Sequence, residues 1–306
     1  MYNKQTLYTE LMNALPNSTV LLDEPMANHT TFEIGGPADI MVLPSSLADI
    51  KAALRLSKNK DVPFYLMGLG SNILCADEGL SGVVIKLANN YANITRSGNT
   101  LICQSGASNE AVAKVALEAG LGGYEFASGI PGSIGGAAFM NAGAYDGEFK
   151  DVATSVKVLT PSGELLTLSK EDACWSYRHS LMMDQGFIVV EATLELFEKD
   201  PAEIKRKMDE LRQKREDKQP LEMPSAGSTF KRPEGYFVGK LLQDAGLRGF
   251  SVGGAQVSEK HCGFVVNHNH ATASDVRNLI SAIQEKIYQK DGVMLEPEVR
   301  MWGFTE

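Results

Sequence analysis

The feature that most constrains the fold is a stretch rich in glycine and alanine, ASGIPGSIGGAAFMNAGAYDG, at residues 127–147. Eleven of its twenty-one residues are Gly or Ala, and its first charged residue is Asp146. This composition is unsuited to a packed helix or strand, because glycine loses much backbone entropy on folding and brings no side chain to pack. Dense glycines also let backbone N–H groups approach a flat or anionic group closely. The stretch therefore indicates either a long structural turn or a cradle for a nucleotide cofactor.

The chain has 306 residues, 43% of them hydrophobic and 22% charged, which is enough for two globular domains. The net charge of −9 argues against a nucleic-acid partner, because nucleic-acid binding needs concentrated Lys and Arg. The N-terminus lacks the apolar core of a signal peptide, and no apolar stretch approaches the length that spans a bilayer. We therefore expect a cytoplasmic protein without membrane insertion.

Metal binding is not predicted. The four cysteines are widely scattered and form no C-x-x-C pair, so they suggest neither a zinc site nor a disulfide framework. His268 and His270 form an H-x-H pair, but no third ligand stands at a convincing spacing. We therefore interpret the two histidines as polar residues exposed to solvent.

The first two thirds of the chain mixes strands and helices. Ser46 to Asp49 reads as a capping box that opens a helix, and a strand over Val62 to Met67 runs into a Gly-rich turn. Ser108 caps a further helix that Gly120 ends. Val152–Leu159 and Leu165–Leu168 flank a Pro-Ser-Gly turn and predict a hairpin.

A charged helix predicts the main domain boundary. It begins at Asp200-Pro201, which supply a cap and a first-turn proline, and it extends to Lys218 with Ile204, Met208 and Leu211 on one stripe. We interpret most of its charges as a solvated face. The predicted limits are an N-terminal segment at 1–29, a first domain at 30–199 divided near 80–90, and a second domain at 200–306.

The second domain continues the α+β pattern. Helices are predicted over Phe237 to Asp244 and from Thr272 onward, where the sequence again reads as a cap. The last strand is predicted over Leu295 to Met301, and Pro297 within it suggests an edge position. The predicted fold class is therefore α+β in at least two lobes.

Two Gly-rich turns, at 68–72 and 129–143, lie about sixty residues apart in the first lobe. If they converge, their N–H groups could hold a pyrophosphate between them. The chain has no G-x-G-x-x-G between a strand and a helix, and it has no G-x-x-x-x-G-K-[ST]. The pattern therefore favours a dinucleotide held by a different fold.

Three further groups of residues could carry chemistry. Arg178, within WSYRHS, offers a planar fork for a carboxylate or phosphate, although it could equally pair with a surface acid. Ser228 stands on a Gly-flanked loop before Lys231 and Arg232, where it could donate a proton or simply satisfy a turn.

The third group is LEPEVR at residues 295–300. Strand alternation places Glu296 and Glu298 on one face. Either carboxylate could be catalytic or a solvated edge charge, and the pattern does not choose between them.

Taken together, these segments resemble the UDP-N-acetylenolpyruvoylglucosamine reductase family, flavoenzymes that complete UDP-N-acetylmuramate for bacterial peptidoglycan. The resemblance covers the chain from near residue 30 to the C-terminus. Its motifs occur in order: TFEIGGPA at 31–38, the turn at 68–74, the Gly-rich stretch at 129–147, Tyr177-Arg178, GSTFK at 227–231, and LEPEVR at 295–300.

The resemblance implies a two-subdomain FAD-binding lobe of the vanillyl-alcohol-oxidase-like type, followed by a C-terminal substrate-binding domain. It implies FAD as the cofactor, NADPH as the co-substrate and a UDP-sugar as the small-molecule substrate, in a cytoplasmic step of cell wall biogenesis that serves cell shape and division. The residues expected to bind the cofactor are Gly68, Leu69, Gly70, Ser71, Asn72, Ser128, Gly129, Pro131, Gly132, Ser133, Gly135, Gly136, Asn141 and Gly143.

The resemblance also assigns catalytic roles. Ser228 looks like the proton donor, and Arg178 and Glu298 look like the other catalytic residues, a choice over Glu296 that periodicity could not make. On this reading hydride reaches the vinyl carbon remote from the ether oxygen, Arg178 stabilises the charge that develops toward the substrate carboxylate, and Ser228 protonates the adjacent carbon. The residues expected to bind substrate are Tyr177, Lys218, Lys231 and Arg232.

One departure from the family pattern concerns length. Some members carry an extra segment with a tyrosine that closes over the substrate, but only forty-nine residues separate Arg178 from Ser228 here. The chain therefore resembles the shorter subclass.

Two other functions are possible for such a sequence. One is an FAD-dependent oxidase of a small alcohol or hydroxy acid, and the other is a non-catalytic nucleotide-binding protein.

Overall fold

The computed structural model describes residues 2–145 and 147–304. Its α-helices are α1 Lys4–Ala14, α2 Leu47–Asn59, α3 Asn109–Glu118, α4 Ile134–Met140, α5 Phe149–Val152, α6 Leu181–Gln185, α7 Pro201–Lys218, α8 Val238–Asp244 and α9 Ala273–Asp291. Its strands in the first half are β1 Thr19–Pro25, β2 Pro37–Leu43, β3 Phe64–Met67, β4 Ile73–Cys75, β5 Leu80–Lys86, β6 Ile94–Ser97, β7 Thr100–Gln104, β8 Leu121–Gly122, β9 Gly143–Ala144 and β10 Gly147–Glu148. The later strands are β11 Ala153–Leu159, β12 Leu165–Ser169, β13 Ile188–Glu195, β14 Phe197–Glu198, β15 Ser225–Ser228, β16 Ser251–Val252, β17 Ala255–Val257, β18 Phe264–Asn267 and β19 Arg300–Trp302.

The chain divides into two compact units. The first unit comprises Met1–Leu22, Ile40–Leu69 and Gly82–Arg215, and the second comprises Asp23–Asp39, Gly70–Ser81 and Glu216–Glu306. The division falls inside α7 and inside the Gly-rich turn at 68–72, and two early segments belong to the second unit. Compact units and functional domains are different divisions of a chain, so the domain limits at 29/30 and 199/200 stay a prediction.

The first unit holds a five-stranded sheet in the order β12-β11-β13-β7-β6, with every neighbouring pair antiparallel. The predicted hairpin is confirmed, since Leu159 at the end of β11 is paired with Leu165 at the start of β12. The predicted helix after Ser108 is also confirmed: the serine side chain accepts a hydrogen bond from Ala111, and Gly120 follows the end of α3 with a φ of +66°. A buried cluster joins this sheet to α3 and α4.

A second sheet, in the order β1-β2-β5-β3, lies mainly in the first unit. Its core includes Leu7 and Leu11 from α1, so the N-terminal segment has a structural role. Ser46 caps α2 as predicted, but the reciprocal half of the capping box is wrong. The Asp49 Oδ2 instead accepts hydrogen bonds from the Ser18 and Ser45 hydroxyls, while the Ser46 hydroxyl accepts one from the Asp49 N–H.

The second unit contains the antiparallel sheet β15-β18-β17-β16 and the helices α8 and α9 around one buried cluster. The predicted cap of α9 is confirmed, because Thr272 and Asp275 form a capping box. Asp77 adds a second cap by accepting hydrogen bonds from the backbone N–H groups of Ala273 and Ser274 at 2.7 and 3.0 Å. Two carboxylates at the positive end of a 19-residue helix fix where that helix begins.

The predicted last strand is shorter than expected. Regular pairing is confined to β19, which runs parallel to β4, whereas Pro297 forms only an isolated bridge with Phe230. Proline has no N–H to donate, so a ladder cannot run through it. Leu295 and Val299 are buried, whereas Glu296 is exposed and Glu298 is half-buried, which agrees with the alternation expected for the two glutamates. No helix in the described ranges is long and apolar enough to cross a membrane.

Candidate active site

The Gly-rich stretch contains a helix, which corrects the expectation that such a composition excludes one. Ser133 caps α4 by accepting a hydrogen bond from Gly136, and Ile134, Ala137 and Ala138 are buried. A Cβ added to Gly135 would lie 2.8 Å from the Cβ of Ser105, so only glycine allows this approach. Tertiary packing therefore forms a seven-residue helix that its intrinsic propensity would not support.

The turn after β3 reaches the start of α4. A Cβ added to Gly68 would lie 2.2 Å from the Oγ of Ser133 and 3.3 Å from its Cβ. Both residues belong to the first unit. The predicted convergence of the two Gly-rich turns is thus confirmed where Gly68 meets Ser133, and a side chain at Gly68 would have to displace the Ser133 hydroxyl.

The residues at this convergence fit the diphosphate of a dinucleotide. Gly136 is exposed, and an added Cβ would meet only the Ser133 Oγ, at 3.8 Å, so the backbone is open there. Gly129 is exposed as well, and an added Cβ would come within 3.0 Å of the Arg215 Nε. The open backbone at Gly136 is a suitable surface for an anion, whereas the Arg215 guanidinium packs against Gly129 and is itself buried.

Arg215 is a residue that the sequence interpretation missed. It is 9% exposed, and burial lowers its pKa against an opposing effect of Tyr145. The charges of α7 were interpreted as a solvated face, yet Arg215 follows Leu211 by four residues and continues the inward stripe. That periodicity was the signal that could have identified it.

Asn141 was predicted to contact the cofactor, but its side chain is used within the protein. It is fully buried at the C-terminal end of α4, with a φ of +44°. Its amide nitrogen donates to the Ser176 carbonyl at 2.9 Å and to Glu148 Oε2 at 3.2 Å, and its amide oxygen accepts from the Lys150 N–H at 3.0 Å. Both N–H groups of the amide are therefore used within the protein, and a role of Asn141 in cofactor binding stays a prediction.

Arg178 lies in a tight turn with an unusual backbone. Ser176 and His179 exchange two backbone hydrogen bonds of 3.1 and 3.2 Å. Arg178 is thus the third residue of a four-residue turn, and its φ is +54°. The Arg178 Nη2 donates to the Gly143 carbonyl at 3.1 Å, and its guanidinium carbon lies 5.1 Å from the Tyr177 ring centroid. A left-handed backbone at an arginine is strained and persists only where surrounding contacts hold it.

A carboxylate balances the charge near Arg178. The hydrogen bond from Lys150 lowers the pKa of Glu148 against the opposing effect of burial, and the charge of Arg178 lowers it further. Lys150 Nζ lies 2.7 Å from Glu148 Oε2. The first unit therefore presents a guanidinium whose backbone, hydrogen bonding and charge are all supported locally.

Ser228 and Glu298 are brought together in the second unit. Ser228 ends β15 and is exposed, and the register of β15 against β18 shifts between Ser225 and Ser228. The next residue, Thr229, accepts a hydrogen bond from the Glu298 N–H at 2.8 Å. The backbone thus places the hydroxyl and the carboxylate on adjacent segments.

The two glutamates of LEPEVR differ in environment. Glu296 is 68% exposed at its side chain and pairs with Lys231, whereas Glu298 is half-buried. The Glu298 carbonyl accepts a hydrogen bond from the Asn72 side chain at 3.1 Å, and the Asn72 carbonyl accepts one from the Arg300 N–H. Asn72, from the first Gly-rich turn, thus fixes the backbone that carries Glu298.

The predicted substrate-binding cations have distinct surroundings. The Arg232 guanidinium carbon lies 3.9 Å from the ring centroid of Phe237, which is 61% exposed. Lys218 is exposed at the end of α7, and its charge adds to the burial that lowers the pKa of His261. Among the described residues, no group of three or more His, Cys, Asp or Glu is arranged to hold a metal.

Comparison with known proteins defines the class first. A family model described as FAD binding domain matches residues 38–169. A VAO-type flavoprotein from Myceliophthora thermophila aligns with a TM-score of 0.50 and 14% identity over 64% of this chain and 48% of that one, which shows the fold alone. The chain is an FAD-dependent oxidoreductase with an α+β fold.

The family follows from nearly full-length matches. A model described as the C-terminal domain of UDP-N-acetylenolpyruvoylglucosamine reductase matches residues 219–302. Reductases of that name from Clostridium perfringens (strain SM101 / Type A) and Alkaliphilus oremlandii are 52% and 47% identical, covering 93% and 98% of this chain and 93% and 99% of theirs. The crystal structure of the Thermus caldophilus enzyme aligns with a TM-score of 0.80 and 33% identity over 94% of this chain and 99% of that one. The chain belongs to the UDP-N-acetylenolpyruvoylglucosamine reductase family.

Proposed function

We propose that this protein reduces the enolpyruvyl ether of UDP-N-acetylglucosamine to the lactyl ether of UDP-N-acetylmuramate, using NADPH and bound FAD, in peptidoglycan precursor synthesis. The observation that carries the proposal is family membership over nearly the whole chain. FAD supplies the two-electron chemistry between NADPH and the substrate double bond. We place the reaction in the cytoplasm, with a UDP-sugar as the small-molecule substrate.

The convergent Gly-rich turns are the proposed site of the FAD diphosphate. The contact between Gly68 and Ser133 and the open backbone at Gly136 support this assignment. Arg215, which packs against Gly129 of the same Gly-rich stretch, is a proposed source of positive charge for this site. The other predicted cofactor residues, except for the Asn141 side chain, remain part of this proposal.

Arg178 is the proposed partner of the substrate carboxylate. Reduction of the double bond develops negative charge toward that carboxylate, and a fixed guanidinium stabilises such charge. The hydrogen bond to Gly143 and the strained turn support a fixed orientation. Tyr177, which is 48% exposed beside it, is a proposed substrate contact.

Ser228 is the proposed proton donor to the ether-bearing carbon, and Glu298 is proposed to orient substrate or assist that transfer. Their adjacent backbones and the exposure of Ser228 support these roles. The half-buried position of Glu298, against the 68% exposure of the Glu296 side chain, favours Glu298 as the catalytic carboxylate. Lys218, Lys231 and Arg232 are proposed to bind the substrate, with Lys218 and Arg232 as candidates for its diphosphate or that of NADPH.

The two half-reactions test this function separately. We expect NADPH to bleach the flavin without oxygen, and added UDP-N-acetylglucosamine enolpyruvate to restore its absorbance, still without oxygen. Ser228→Ala should leave reduction by NADPH intact and slow reoxidation by substrate about 100- to 10,000-fold, as loss of a positioned acid does. Ser225→Ala, three residues earlier on β15, is the matched control and should behave as the parent.

Two results would contradict the proposal. A flavin that NADPH does not reduce, or that only oxygen reoxidises, excludes the reductase reaction, and the second result would favour the oxidase alternative. A slow flavin reduction in Ser228→Ala would leave the overall reaction standing but overturn the proton-donor role.

A further inference from the structure

The end of α4 is bonded to the segment that carries Arg178. The Trp175 Nε1 donates to the Ala138 carbonyl at 2.7 Å, and the Ser180 hydroxyl donates to the Phe139 carbonyl at 2.7 Å. Asn141 donates to the Ser176 carbonyl at 2.9 Å. Carbonyls in the last turn of a helix have no partner within the helix, and here the residues flanking Arg178 supply two of those partners.

Asn141 joins three segments at once. Its amide contacts Ser176 before Arg178, Glu148 at the end of β10, and the Lys150 N–H in α5. The reverse amide orientation would place its oxygen against two acceptors, so the network fixes the amide. Its left-handed backbone is one that asparagine and glycine adopt readily, and only asparagine also supplies the amide.

Arg178 needs such support. Its own left-handed backbone is strained, and its guanidinium is held by the Gly143 carbonyl, two residues after Asn141. The turn is therefore bonded from both sides: through its backbone at Ser176 and through the side chain of Arg178. A change at Asn141 would loosen both connections.

Resting on the function proposed above, we propose that Asn141 is a positioning residue that holds Arg178 in place for the substrate carboxylate. Its side chain does not contact the cofactor. Trp175, through its bond to the Ala138 carbonyl, supports the same turn. The expected consequence is that Asn141 affects only the half-reaction that uses Arg178.

The principal variant is Asn141→Asp, which keeps the shape but turns an acceptor toward the Ser176 carbonyl and the Glu148 carboxylate. We expect FAD content and reduction by NADPH to stay at the parental level. Reoxidation by the enolpyruvyl substrate should slow on the order of 100-fold, the cost of misplacing a catalytic group by about 1 Å. Ser57→Ala, which removes another buried hydrogen bond from the first unit, is the control for general destabilisation.

A double-mutant cycle separates positioning from an independent effect. If Asn141 acts through Arg178, Asn141→Asp should change the reoxidation rate less than about threefold in an Arg178→Ala background, because coupled residues are not additive. Trp175→Phe, which removes the N–H but keeps an aromatic ring, should give a smaller slowing of the same half-reaction. This second variant also tests the proposal if Asn141→Asp does not fold.

Three outcomes would overturn the inference: loss of FAD from Asn141→Asp, an equal slowing of both half-reactions, or full additivity with Arg178→Ala. A measurement that needs no catalytic turnover tests the positioning role of Asn141 separately from the proposed function. Modification of Arg178 by phenylglyoxal, followed on the tryptic peptide, should be faster in Asn141→Asp than in the parent or in Ser57→Ala. An unchanged modification rate would refute the positioning role whatever reaction the protein catalyses.

Discussion

Gly68 offers the sharpest test of the cofactor cradle, because a methyl group added there would collide with the Ser133 hydroxyl. An alanine Cβ would lie 2.2 Å from the Ser133 Oγ. Overpacking of this kind costs about 1–3 kcal/mol. If about 2 kcal/mol of that cost falls on the arrangement that binds FAD, Gly68→Ala should raise the Kd for FAD about 30-fold.

The clash comes from one oxygen, so it should be reversible by a second change. Ser133→Ala removes that oxygen and leaves its Cβ 3.3 Å from the new methyl group, a distance that a small shift relieves. The cap bond it sacrifices is long, 3.4 Å to the Gly136 N–H, so its loss should cost only about 0.5 kcal/mol. The double variant should therefore bind FAD more tightly than Gly68→Ala alone.

The assay is titration of four apoproteins with FAD: the parent, the two single variants and the double variant. Binding is measured by the quenching of flavin fluorescence. Gly239→Ala is a suitable control, since its added Cβ would meet nothing closer than 3.4 Å. A parental Kd in Gly68→Ala would refute the cradle. Additive effects of the two changes would show that the steric argument, which requires coupling between contacting residues, is wrong.

Three other predictions test separate features. Gly227 and Gly235 both have a φ of +76° and no atom near an added Cβ. Alanine should therefore strain the backbone equally at both positions, by about 1–2 kcal/mol. Only Gly227→Ala, beside the proposed proton donor, should slow flavin reoxidation by substrate. Burial tends to raise the pKa of Glu125, but the hydrogen bond from Lys199 and two backbone N–H bonds outweigh it and lower the pKa. The stability this pairing contributes is present above the ordinary value of 4.5 and lost as pH falls through the lower folded value, so below pH 4.5 the parent's Tm should fall more steeply than that of Glu125→Gln. Cys174 is the exposed thiol among four cysteines, so a thiol titration should find one fast group in the native protein and none in Cys174→Ser.

Local signals in the sequence predicted much of the fold. Ser108, Gly120 and Thr272 mark helix ends whose hydrogen bonds the structure contains, because a cap depends on residues within one turn of it. The Pro-Ser-Gly turn likewise set the register of its hairpin. These predictions needed no information about distant residues.

The errors occurred where distant residues decide the outcome. Ser105 lies close against Gly135 and stabilises a helix in a stretch whose composition opposes one. The Asp49 side chain is bonded to Ser18, a residue that the local pattern of the capping box did not include. The three bonds of the Asn141 side chain likewise join segments that lie outside the Gly-rich motif, so the sequence did not predict them.

The position of α4 explains why one Gly-rich stretch can serve two chemical roles. A seven-residue helix with two glycines cannot be stable alone, so its partners determine its geometry. At its start, glycines bring the backbone against Ser105 and leave open surface at the proposed FAD site; at its end, its carbonyls are bonded to the segment around Arg178. The proposed cofactor site and the proposed carboxylate partner are therefore fixed relative to each other by the same seven residues, and larger side chains in this stretch would disturb both.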